Sequence, residues 1–133
     1  MRHFTPEEAN VALEQVKPLV EQLVATRLEH TAALERQEEL EGKIRGNGGG
    51  IPPAELASAT AEVDGIARRL ARLVDEITEH GAQVKDLDTG LIDFPALHQG
   101  ETVLLCWQLG EDEIAWWHRV DDGFAGRRPL PLD

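Results

Sequence analysis

The residues best suited to chemistry sit in the last third of the chain: Asp86, Asp88 and Asp93, three carboxylates within eight positions, and His118 further on. Folded beside one histidine, such carboxylates can hold a divalent cation. Mixed carboxylate and imidazole donors suit Zn²⁺, Mn²⁺ or Fe²⁺, so Asp86, Asp93 and His118 are the candidate metal ligands. The competing reading makes Asp86 and Asp88 turn residues around Gly90, and leaves His118 hydrogen-bonded to a carbonyl beneath the tryptophans, with Asp93 as its orienting partner. A calcium loop fits less well, because the Asp-x-Asp lacks the downstream spacing of a helix-loop-helix site.

A second group is cationic. In Gly123-Phe124-Ala125-Gly126-Arg127-Arg128, backbone donors and the Arg127 guanidinium can surround an anion, with Lys85 as a further candidate. Alternatively, Phe124 anchors this tail and Arg127 pairs with one of the many acids. Cys106 has no base beside it in sequence and an acidic neighbourhood, whereas a nucleophilic cysteine needs an activating histidine and a positive setting. It is expected to be inert, opposite Trp117 in mid-strand. Trp107, Trp116 and Trp117 lie within eleven residues and are candidates for a protein interface.

Three segments must position these groups. Thr5-Pro6-Glu7-Glu8 carries a cap, a first-turn proline and the glutamate of a capping box, so helix one is expected over 5–45 with a kink near Pro18. Its apolar stripe is interrupted by Arg27, His30, Gln37 and Glu41. Helix two, over 53–80, has the stronger stripe: Leu56, Ala59, Val63, Ile66, Leu70, Leu73 and Ile77 follow a three-four repeat. The run Gly46-Asn47-Gly48-Gly49-Gly50 between them supplies the positive φ angles of a reversal. Residues 82–133 form the β subdomain, with a hairpin over 102–109 and 113–120 turning at Glu111-Asp112. That turn sets Leu105 opposite His118 and Trp107 opposite Trp116. A lone hairpin is marginal, so Ala82–Leu87 or Leu91–Phe94 is expected to add a strand. The fold class is α+β in a single domain, 1–133: a long antiparallel, coiled-coil-like helical hairpin followed by a small β-hairpin or β-sheet subdomain.

Composition removes several functions. The chain has 133 residues, 13 Lys and Arg against 25 Asp and Glu, and a net charge of −12. That charge opposes a phosphate backbone, and bases cluster only as pairs, so no nucleic-acid partner is expected. No apolar run approaches the ~18 residues of a membrane span, and the first residues lack a signal-peptide pattern. One cysteine excludes an internal disulfide and a cysteine-rich zinc site. A reducing, cytoplasmic setting is expected.

Several strings together carry a family resemblance: Phe4-Thr5-Pro6-Glu7-Glu8-Ala9-Asn10, Gly42-Lys43-Ile44-Arg45-Gly46-Asn47-Gly48-Gly49, Val84-Lys85-Asp86-Leu87-Asp88, Gly90-Leu91-Ile92-Asp93-Phe94-Pro95-Ala96, Cys106-Trp107, Trp117-His118 and Gly123-Phe124-Ala125-Gly126-Arg127. Over nearly its full length the chain resembles the bacterial domain of unknown function 2203 family. The resemblance implies a small bacterial intracellular protein and brings no activity, substrate or cofactor.

Two functions follow from the residues. The first is a non-catalytic homo-oligomeric interaction module, a dimer in the simplest case, because the weakened helical seam and the two apolar faces of the hairpin need covering. An unidentified protein partner is the variant of that reading. The alternative is a small metal- or anion-binding protein, even a hydrolase, with a carboxylate, histidine and arginine cleft in the β subdomain and a divalent metal as cofactor. No motif such as His-Glu-x-x-His supports a particular reaction.

Overall fold

The computed structural model describes residues 2–47 and 50–132. Two long helices packed together, α1 (Pro6–Asn47) and α2 (Pro53–Glu79), precede β1 (Gln83–Asp86), β2 (Leu91–His98), β3 (Glu101–Gln108), β4 (Trp116–Arg119), a 3₁₀ turn (Phe124–Gly126) and the short β5 (Arg128–Pro129). The strands join in the order β1-β2-β3-β4-β5, and every neighbouring pair is antiparallel. This is the expected α+β fold, a helical hairpin followed by a sheet. Both segments proposed as a third strand become strands.

Helix boundaries follow local chemistry. The capping box forms: the Glu8 amide donates to Thr5 Oγ1 (3.1 Å) and the Thr5 amide to Glu8 Oε1 (2.9 Å). α1 continues through Pro18 and two residues beyond the expected end. Gly48 and Gly49 of the anticipated reversal lie outside the described residues, and Gly50 takes φ 99°. α2 stops one residue before position 80, where Gly81 at φ 95° lets the chain leave. A Cβ at Gly81 would stand 2.4 Å from Phe4 Cζ, so glycine serves both conformation and contact there.

The chain divides into two compact units, residues 1–24 with 73–133 and residues 25–72. In the first, the sheet unit, one sheet face carries Ile92 and Phe94 from β2, Leu105 and Trp107 from β3, and Trp117 from β4, all buried. Phe4 meets Phe94 edge-on (ring centroids 5.0 Å apart) and its amide donates to the Pro95 carbonyl (2.7 Å). From α1, Leu13, Val16, Val20 and Leu23 are buried at helical spacing. The second, the helical unit, buries Ala33, Leu40, Ala59, Val63, Ile66 and Leu70, with half-buried Leu34 packed against Ala33, Val63 and Ile66. Its two helices are tied by Arg36–Glu62 (3.3 Å), Arg69–Glu29 (3.4 Å) and a Gln37–Thr60 hydrogen bond (3.0 Å).

Candidate functional site

The registers of β2, β3 and β4 decide which polar groups meet. Asp93 stands opposite Cys106, Cys106 opposite Trp116, and Leu104 opposite His118. Residues two apart share a sheet face, so Asp93, Cys106 and His118 fall on one face of three adjacent strands. A carboxylate oxygen, the sulfur and an imidazole nitrogen all lie within 4.8 Å of one another. All three residues are buried, at 2, 0 and 3 % exposure.

This arrangement differs from the expected hairpin by one residue. The strands are Glu101–Gln108 and Trp116–Arg119, shorter on the second side than 113–120, and Leu105 opposes Trp117 rather than His118. The cause is the connection. Instead of a tight turn at Glu111-Asp112, residues 109–115 form a loop with its own partners: Trp107 Nε1 donates to the Glu111 carbonyl (2.9 Å), and the Gln108 amide to Glu111 Oε1 (2.7 Å). The Ile114 amide donates to Asn10 Oδ1 (2.8 Å) on α1. A one-residue slip exchanges the faces of an entire strand, which turns His118 onto the side of Cys106 and Asp93.

Both ring nitrogens of His118 have partners. Nδ1 is 2.8 Å from the Arg119 carbonyl, which only accepts, so Nδ1 carries a proton. Nε2 faces Asp93 Oδ1 at 3.2 Å, and one further proton bridges that pair. A cysteine nucleophile needs a histidine nitrogen free to take its proton, and both are engaged here. Burial pushes the Cys106 thiol up to about 12, with the Asp93 carboxylate adding to the rise. The three groups do not make a Cys-His-Asp hydrolytic centre.

The remaining candidates separate. Asp86 is at the far end of β1: its carboxylate accepts from the Asp88 amide (2.9 Å) and Thr89 Oγ1 (3.1 Å), and its carbonyl accepts from the Gly90 amide (3.1 Å). It is a turn residue and does not join Asp93 and His118. Lys85 is exposed, in the irregular stretch of β1. β1 is one sheet edge and β5, beside Arg127, is the other, so the two cations do not converge. Arg127 Nη2 donates to both Glu111 carboxylate oxygens (2.7 and 2.9 Å), and the guanidinium covers Trp116 (5.1 Å) and Phe124 (4.6 Å). That ion pair takes the charge an anion would have met. Trp107 and Trp117 are each 1 % exposed and serve the core of their own unit; Trp116 is half-buried under Arg127. His3 Nε2 lies 3.0 Å from Thr102 Oγ1.

Sequence reasoning missed Cys106 as a neighbour of Asp93, Glu111 as the partner of Arg127, and Asn10 as the clamp on the loop. Only the run Gly110-Glu111-Asp112-Glu113, too long and too acidic for a two-residue turn, hinted at the first two.

The family described as an uncharacterised conserved protein, DUF2203, matches residues 2–130 of the 133. The chain belongs to the DUF2203 family. No curated protein and no solved structure matches it. No helix among the described residues of this DUF2203 protein is long and apolar enough to cross a membrane.

Proposed function

We propose that this DUF2203 protein is a non-catalytic interaction module that pairs with a second copy of itself through the helical unit, residues 25–72, in a reducing cytoplasm. The observation that carries this reading is the contrast in charge. The sheet unit holds 17 acidic and six basic residues, net −11; the helical unit holds eight and seven, net −1. Two copies repel through the first and have almost no repulsion to overcome through the second.

The surface of the helical unit supports the same occupant. Near its turn, Ile44, Ile51, Pro53, Leu56, Ala57 and Ala61 line an apolar groove. Two helices alone bury too little to be self-sufficient, and a second pair completes a four-helix bundle. Charge within the unit is also graded. Residues 35–62, around the turn, hold six acids and three bases; residues 25–34 and 63–72 hold two acids and four bases. Glu39 and Glu55 are exposed towards the acidic end, and Arg68 and Arg72 at the basic end. Two helical units aligned antiparallel under twofold symmetry set each acidic end against the partner's basic end, twice. The tryptophans, largely enclosed within their own unit, are not needed for this interface.

Light scattering at micromolar concentration tests it. The expected mass is twice the 14.7 kDa of the chain. Arg68→Glu with Arg72→Glu shifts the equilibrium to monomer, and adding Glu39→Lys with Glu55→Lys restores the dimer. A folded wild-type chain that stays monomeric overturns the proposal.

A further inference from the structure

The Asp93, Cys106 and His118 cluster is not accounted for by association through the helical unit. We infer that these three side chains form a binding site for one divalent transition-metal ion of the zinc class.

The chemistry of the donors is selective. A thiolate, an imidazole nitrogen and a carboxylate oxygen together suit Zn²⁺, Co²⁺ or Fe²⁺ and disfavour Mg²⁺ and Ca²⁺, which take oxygen ligands. The three come from β2, β3 and β4, strands held by a continuous ladder, so the scaffold is formed before any ion arrives. His118 has the orientation of a metal ligand. Its Nδ1–H is held by the Arg119 carbonyl, which fixes the tautomer with the Nε2 lone pair aimed at Asp93 and Cys106. Ligating histidines are set in this way by a carbonyl or carboxylate on the other ring nitrogen.

Two lone-pair-bearing atoms, His118 Nε2 and Asp93 Oδ1, face each other at 3.2 Å, so a positive centre must lie between them. A proton is one such centre and a metal ion is the other. Exchange between them balances: the proton shared by Asp93 and His118 and the thiol proton of Cys106 leave, and a dication enters. Thiolate and carboxylate then carry two negative charges against two positive ones. A buried site is therefore neutral before and after, which avoids the large cost of an unpaired charge in the core. In tetrahedral zinc geometry, donor atoms stand roughly 3.3–3.6 Å apart. The three donor atoms here, all within 4.8 Å of one another, need close by no more than about 1 Å. No fourth histidine, cysteine, aspartate or glutamate joins the group among the described residues, which leaves one coordination position for water or a small ligand.

Refolding the full chain with Co²⁺ gives the test and removes any barrier to entry. The expected result is saturation at one Co²⁺ per chain, with the visible absorption of tetrahedral cobalt and a near-ultraviolet thiolate-to-cobalt band that Zn²⁺ abolishes. Cys106→Ser loses the band, and Asp93→Asn weakens uptake at least tenfold. A natively folded wild-type chain that takes up no cobalt overturns the site. So does cobalt bound without the thiolate band, which is the outcome for ions held only by surface acids. The site belongs to the sheet unit alone, so a monomer that binds cobalt upholds it and a dimer that does not refutes it.

Discussion

The sheet unit and the helical unit solve one problem in opposite ways. The sheet unit carries a net −11 and packs Trp107, Trp117, Phe94 and Leu105 to full burial; the helical unit carries −1 over a smaller core without aromatic rings, Ala33, Leu40, Ala59, Val63, Ile66 and Leu70. Self-repulsion destabilises a compact state, and only a thick apolar core outweighs much of it. The unit with little to bury cannot carry a large charge of one sign. Under the proposed pairing, near-neutrality lets the helical unit meet a copy without repulsion. Stability and the proposed association then fall to different stretches of one chain, and truncations in the two should have different consequences.

The largest effect is expected in the sheet. Phe94→Ala removes a fully buried ring that Phe4 packs against edge-on, and should cost about 3–5 kcal/mol in denaturant unfolding. Ile66→Ala in the helical unit should cost less, about 2 kcal/mol, because a thin core collapses around the gap more readily. The second cost should also rise with protein concentration if the helical unit pairs, since folding and association are then linked. Equal costs at all concentrations would erase the contrast between the units.

Gly81 comes next. At φ 95°, with Phe4 Cζ 2.4 Å from any added Cβ, Gly81→Ala should lose about 1–3 kcal/mol through strain and a displaced ring. Gly50→Ala, also at positive φ but with open space around it, should lose about 1 kcal/mol at most. Thermal unfolding of the two variants separates the packing contribution from the conformational one.

The helices were legible because their evidence is local. Thr5 and Glu8 are three residues apart, the stripe from Leu56 to Ile77 repeats within one helix, and Pro53 and Gly81 bracket it. β2, β3 and β4 were legible as apolar runs, with β1 beside them, while the two-residue β5, Arg128–Pro129, had no such signal. The site was not, because membership depends on register, and register depends on a loop whose partners are distant in sequence. Asn10 lies 104 positions from Ile114, yet its two hydrogen bonds to Ile114 help to place β4. Nothing near Cys106 in sequence says that Asp93 lies across from it. For the same reason Asp86 looked like a ligand: three acids close in sequence are separated by a turn and the length of a strand.

The smallest expected effect falls at the start of α1, in the sheet unit. Thr5→Ala deletes the acceptor for the Glu8 amide and should cost about 1 kcal/mol. Glu8 adds a pH dependence with a definite sign. The hydrogen bond from the Thr5 amide, with that from its hydroxyl, holds the carboxyl below its ordinary value of 4.5. A depressed folded value means that the cap is fully in place above pH 4.5 and is lost as pH falls through the folded value. Glu8→Gln keeps an acceptor for the Thr5 amide and should remove the pH dependence while leaving most of the cap. Amide exchange gives the measurement: on acidification, protection of residues 9–11 in the wild type should fall relative to Glu8→Gln, while residues 33–40 of the helical unit change equally in both. If acid loosened residues 33–40 more in the wild type than in Glu8→Gln, the first turn of α1 would be coupled to the helical unit, and the independence assumed in comparing the two would fail.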